Sequence, residues 1–121
     1  MSTVLKIIEE FSDMQGISVH PAFRNNVTGL EAEKMLRGKT TPYLYLIREG
    51  EKEKGSLRNY YITFVASDFS VRHQPFTIEE RREGWYYENA QPGGPYTDAT
   101  IDDVVHLMIH CSKDSCVPFL N

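Results

Sequence analysis

The order of elements along the chain predicts an α+β fold: a central antiparallel sheet flanked by one helix on each face, with an extra amino-terminal helix. Two observations carry this reading. Helix-start signals stand at Thr28 and Thr100, and between them lie three runs rich in aromatic and branched residues. A helix on each side of a sheet covers both its faces, the stable layering for such a pattern.

The elements follow in order. Val4, Ile7, Ile8, Phe11 and Met14 recur at helical spacing with Lys6, Glu9, Glu10 and Asp13 opposite, so the first fifteen residues read as an amphipathic helix that Gly16 ends. Its apolar stripe packs on the domain behind it or docks a partner, and the pattern serves both. We therefore divide the chain into an amino-terminal helix, 1–19, and a domain, 20–121. Past His20-Pro21, the Thr28-Gly29-Leu30-Glu31 spacing permits a capping box opening a helix to about Arg37, with Ala32, Met35 and Leu36 as its apolar stripe. Tyr43 to Arg48, Asn59 to Ala66 and Phe69 to Phe76 read as an antiparallel meander broken at Gly55-Ser56 and Ser67-Asp68. Trp85-Tyr86-Tyr87 adds a short strand. Pro92-Gly93-Gly94-Pro95 reads as a loop, because prolines interrupt ladders. Thr100, three residues before Asp103, opens a last helix with Ile101, Val104, Val105 and Met108 on its apolar face.

Composition narrows the function. A chain of 121 residues is one domain's worth, and its net charge of −4 opposes a nucleic-acid partner. No apolar run approaches the roughly 18 residues of a bilayer span, and acidic residues stand where a signal peptide would be basic, so we expect no membrane insertion and a cytoplasmic location. Cys111 and Cys116 are too close to staple distant elements and read as reduced thiols. His106 and His110, one helical turn apart, lie opposite the apolar stripe beside Asp102 and Asp103, so they read as a wet face and not a metal site. The dispersed histidines, late cysteines and missing phosphate-cradling glycine loop show no catalytic or cofactor arrangement. Composition carries no signal of oligomeric state.

Arg48 stands out. The run Tyr43-Leu44-Tyr45-Leu46-Ile47-Arg48 is apolar at both parities, so the strand is interior, and alternation aims Arg48 with Leu44 and Leu46. An unpaired guanidinium there is costly. It meets an internal carboxylate, such as a glutamate of the neighbouring helix, or sits at the strand end and reaches water, or binds an external anion, with phosphate favoured by the planar fork of arginine.

Gly29-Leu30-Glu31-Ala32-Glu33-Lys34-Met35-Leu36, then Tyr45-Leu46-Ile47-Arg48-Glu49-Gly50, then Val71-Arg72-His73, resembles the Src homology 2 family in residue type, order and spacing. The resemblance runs from Ala22 onward and is that of a divergent member, similar to forms in bacterial effectors, which would place it in host-cell cytoplasm. It implies a phosphotyrosine-binding recognition module and no enzyme, with tyrosine-phosphorylated proteins or peptides as partners and low selectivity for flanking sequence. The family's phosphate-clamping arginine matches Arg48, and its pocket histidine matches His73. Gly29 replaces a family arginine, Gly50 a serine, Ala22 a tryptophan and Pro75 a basic residue, so other donors must complete the pocket. Lys52, Lys54 and Ser56 in the connection after Arg48 are candidates, and Arg72 ranks lower because alternation turns it to the other face. Tyr96, in the long connection before the last helix, is a candidate lid. Two alternatives stay open: the same fold without phosphate recognition, and a phosphatase-like enzyme, which would need a nucleophile near Arg48.

Overall fold

The computed structural model describes residues 14–50, 57–79, 84–87, 92–95 and 99–120. A 3-10 turn, Met14–Val19, leads into the short strand β1, Phe23–Arg24. Asn26, in the left-handed region at φ 58°, then turns the chain toward helix α1, Gly29–Leu36. Asparagine tolerates that conformation better than most residues. The meander follows as β2 (Leu44–Glu49), β3 (Leu57–Val65) and β4 (Val71–Glu79), extended by β5 (Gly84–Tyr87) and β6 (Pro92–Pro95). Helix α2, Ile101–Ile109, a 3-10 turn at Lys113–Ser115 and the two-residue strand β7, Val117–Pro118, end the described chain.

The strands form one sheet in the order β1-β2-β3-β4-β5-β6, and β7 also pairs with β2. All pairs from β2 to β6 are antiparallel, whereas β1 and β7 lie parallel to β2, at Ile47–Arg48 and Leu44–Tyr45 respectively. Alternation along β2 sends its side chains to two cores. Leu46 packs with Ala32 and Leu36 of α1, Val65 and Phe119, with Leu44 against them. Tyr45 and Ile47 pack with Ile62, Phe64, Phe76 and Ile78 and with Ile101, Val104, Val105 and Met108 of α2. Each helix thus covers one sheet face, as the sequence predicts.

Both capping boxes form. The Thr28 hydroxyl accepts from the Glu31 amide at 3.1 Å while the Glu31 carboxylate accepts from the Thr28 amide at 3.2 Å. Thr100 and Asp103 do the same for α2 at 3.2 and 2.8 Å. The buried His20 accepts the Ala22 N–H on Nδ1 (3.1 Å), so its Nε2 donates to Asp102 (3.0 Å), tying the chain before β1 to the start of α2. Tyr45 donates to the same carboxylate, and burial followed by that negative neighbour pushes its hydroxyl above the ordinary tyrosine range.

Two expectations are corrected. Pro92-Gly93-Gly94-Pro95 is not a loop but the edge strand β6, paired with β5 through a register shift at Trp85–Tyr86. Prolines at the two ends of an edge strand forgo few ladder bonds. Gly93 lies against the Trp85 ring, where a Cβ would come within 2.3 Å of it. Cys111 and Cys116 are joined in a disulfide, not free. His110 closes α2 in the left-handed region, and the 3-10 turn reverses the chain, bringing the two Cα atoms to 6.7 Å. The expected amino-terminal helix falls almost wholly outside the described residues. No described helix is long and apolar enough to cross a membrane.

Candidate functional site

Arg48 sits one residue from the end of β2, on the α1 face of the sheet, with 9% of its surface exposed. Its neighbours follow from register. Tyr61 is its cross-strand partner on β3, Thr63 pairs with Leu46, and His73 on β4 faces Thr63. Residues two apart on one strand share a face, so Tyr61, Thr63 and His73 converge on the guanidinium. Helix α1 closes the site from above. A Cβ at Gly29 would stand 3.1 Å from Arg48 Nη2, so any side chain there would crowd the guanidinium.

The hydrogen bonds resolve which donors are occupied. Arg48 Nε donates to Thr63 Oγ1 and Nη2 donates to His73 Nδ1, both at 3.2 Å. These acceptors lie 2.8 Å apart, close enough for the Thr63 hydroxyl to donate in turn to Nδ1. Nδ1 therefore carries no proton, and Nε2 is the nitrogen that donates to Glu33 Oε1 at 2.8 Å. The hydrogen bond from His73 outweighs desolvation and holds the Glu33 carboxyl below the usual carboxylate range; the positive charges of Arg37 and Arg48 act in the same direction. Thr63 and His73 together occupy one edge of the guanidinium, as the two oxygens of a carboxylate would. The other edge, between Nη1 and Nη2, is unused: Nη1 has no hydrogen-bond partner among the described residues and is not sealed from solvent. Burial lowers the pKa of Arg48, opposed by Tyr61 and Glu33, so its positive charge is held in a poorly solvated place.

A cleft of about 440 Å³, lined by Asn26, Val27, Thr28, Arg48, Glu49, Gly50 and Tyr61, opens beside it. The Tyr61 ring stacks on the guanidinium, its centroid 4.4 Å from Arg48 Cζ.

Of the residues expected from sequence, Arg48 and His73 are brought together. Arg72 is not: it is paired with Phe64, and its guanidinium meets Asp68 at 3.2 Å and Ser70 at 3.3 Å in the exposed β3–β4 turn. That turn holds it on local acceptors and away from the cleft. Lys52, Lys54, Ser56 and Tyr96 lie outside the described residues. Thr63 and Tyr61 were missed, and Glu33 was foreseen only as an unspecified glutamate of the neighbouring helix. Thr63 was legible as the polar residue within the apolar run Ile62 to Val65, and Glu33 as the position one helical turn after Gly29.

The SH2 domain family model matches residues 23–95, more than half of the chain, and the protein belongs to that family. Its α+β architecture, with two helices about a mostly antiparallel sheet, is that of the family. Comparison with curated proteins gives no match.

Proposed function

We propose that this SH2 domain captures phosphotyrosine in the cleft beside Arg48, as a recognition module without covalent chemistry. The observation that carries the reading is the unused edge of the Arg48 guanidinium at a cleft, its other edge being fixed by Thr63 and His73. A phosphate presents two oxygens at the spacing that such an edge bonds in parallel, and bears close to two negative charges. Arg48 is largely buried, so a phosphate reaches it on a side chain long enough to carry it inward, which favours phosphotyrosine over phosphoserine. Lys52, Lys54 and Ser56, next along the chain, are proposed as further donors, and Tyr96 as a lid.

Selectivity is proposed to lie in the phosphotyrosine more than in its flanks. Part of the segment entering α2, which in this family helps to read residues after the phosphotyrosine, is taken up here as edge strand β6. A phosphopeptide library with a sharp preference at one following position would refute this.

The test of the main reading is a titration with a tyrosine-phosphorylated peptide and its unphosphorylated twin. The wild type is expected to bind only the first. Arg48→Ala and Arg48→Lys are expected to lose most of that binding while keeping the fold, since charge-assisted hydrogen bonds contribute about 1.5–3 kcal/mol each and lysine lacks the fork. Equal binding of both peptides, or normal binding by Arg48→Ala, would leave a protein-interaction domain without phosphate recognition at this site.

A further inference from the structure

Three of the residues around Arg48 make sense only together. Gly29 leaves room for the guanidinium, since a Cβ there would stand 3.1 Å from Nη2. Gly50 leaves room for Tyr61, since a Cβ there would stand 3.2 Å from the ring atom Cε2 and equally close to the Asn59 carbonyl. Tyr61 then fills the space and stacks on Arg48. The two glycines are positions where donors for a phosphate are expected and absent, and each clears space for the Arg48–Tyr61 pair.

A planar cation packed against an aromatic face is attracted by the ring and is also held in plane. Arg48 has one edge tied to Thr63 and His73, and the stack covers a face, so what remains for a ligand is the other edge. Tyr61 also lines the cleft, and its ring and the Val27 side chain are the large apolar groups of that lining. An aromatic ligand entering toward the Arg48 edge passes these two side chains.

We propose that Tyr61 is a further binding residue: it orients the Arg48 guanidinium and, with Val27, forms the apolar wall against which the ring of a phosphorylated tyrosine lies. The inference rests on the phosphotyrosine reading above. It makes the site selective for aryl phosphates through a residue of β3 that bears no charge, in place of the donors missing at positions 29 and 50.

The test uses free phosphotyrosine and free phosphoserine as probes on the wild type and on Tyr61→Phe, Tyr61→Leu, Tyr61→Ala and Arg48→Ala. Tyr61→Phe keeps the ring and is expected to bind phosphotyrosine within about twofold of the wild type. Tyr61→Leu and Tyr61→Ala are expected to lose roughly tenfold for phosphotyrosine and much less for phosphoserine, the sum of a lost ring contact and a lost stack. The ring-current shift of the Arg48 side-chain protons should persist in Tyr61→Phe and vanish in Tyr61→Leu, a readout that loss of packing alone would not reproduce. If Tyr61→Ala fails to fold, Tyr61→Leu against Tyr61→Phe carries the comparison. Binding that depends on Arg48 but is unchanged or tighter in Tyr61→Leu overturns the role of Tyr61 and leaves the phosphotyrosine reading standing. A wild type that does not bind phosphotyrosine overturns both.

Discussion

Thr63 has no exposed surface, yet it carries the hydroxyl on which the geometry of Arg48 depends. Thr63→Val keeps shape and removes the acceptor, leaving the Arg48 Nε–H unsatisfied in a buried place. We expect a loss of about 1–3 kcal/mol of folding stability, read by denaturant unfolding. Glu33 supports the other acceptor by accepting a hydrogen bond from His73 Nε2–H. Its pKa is lowered in the fold, so folding favours its ionised form. The stabilisation is complete above the usual carboxylate range and is lost as pH falls through the lowered value. Unfolding curves across the acid range should therefore show a shallower acid limb in Glu33→Gln than in the wild type, and coincident limbs would count against this link. Arg48 was legible because a charge in a strand apolar at both parities needs a reason. Of its partners, His73 was expected from the family resemblance, while Thr63 was not, since whether a carboxylate, a hydroxyl or an imidazole meets the guanidinium depends on the register between strands. The answer combines a hydroxyl with an imidazole, and the carboxylate of Glu33 stands one step further out.

At the scale of elements, what sequence disclosed divides by length and by local chemistry. The two helices were readable from Thr28–Glu31 and Thr100–Asp103 because a capping box is a short-range pattern, complete within four residues. The long strands β2, β3 and β4 were readable from branched and aromatic runs. Strands β1 and β7 were not, since two residues display no periodicity, and both are set by pairing with β2. Edge strand β6 was misread because its prolines resemble a breaker, although at an edge they are tolerated. The structure makes a sharp claim there: Gly93→Ala would place a methyl group within 2.3 Å of the Trp85 ring, which is 3% exposed. Forcing such a contact typically costs about 1–3 kcal/mol. The expected result is a clear fall in melting temperature, with loss of amide protection in β5 and β6, and an unaltered melting temperature would contradict this packing.

For the whole molecule, the sheet separates two tasks. The α2 face buries the larger apolar cluster, while the α1 face carries the Arg48 network at one end of β2. At the other end of β2 lies β7, just after the Cys111–Cys116 disulfide. Closing so short a loop restricts the unfolded chain by about 2 kcal/mol on the entropy model. Replacing both cysteines by serine should therefore lower stability on that order and leave Arg48-dependent binding intact. Phosphotyrosine capture at this site requires that the unused edge of Arg48 receive the phosphate. Side-chain nitrogen–proton spectra of Arg48, followed while a tyrosine-phosphorylated peptide is added, test it most directly. The Nη1 protons are expected to shift with the phosphorylated peptide and not with its unphosphorylated twin, while Nε–H, held by Thr63, stays near its starting position. Saturating peptide that leaves every Arg48 signal unmoved would contradict the claim.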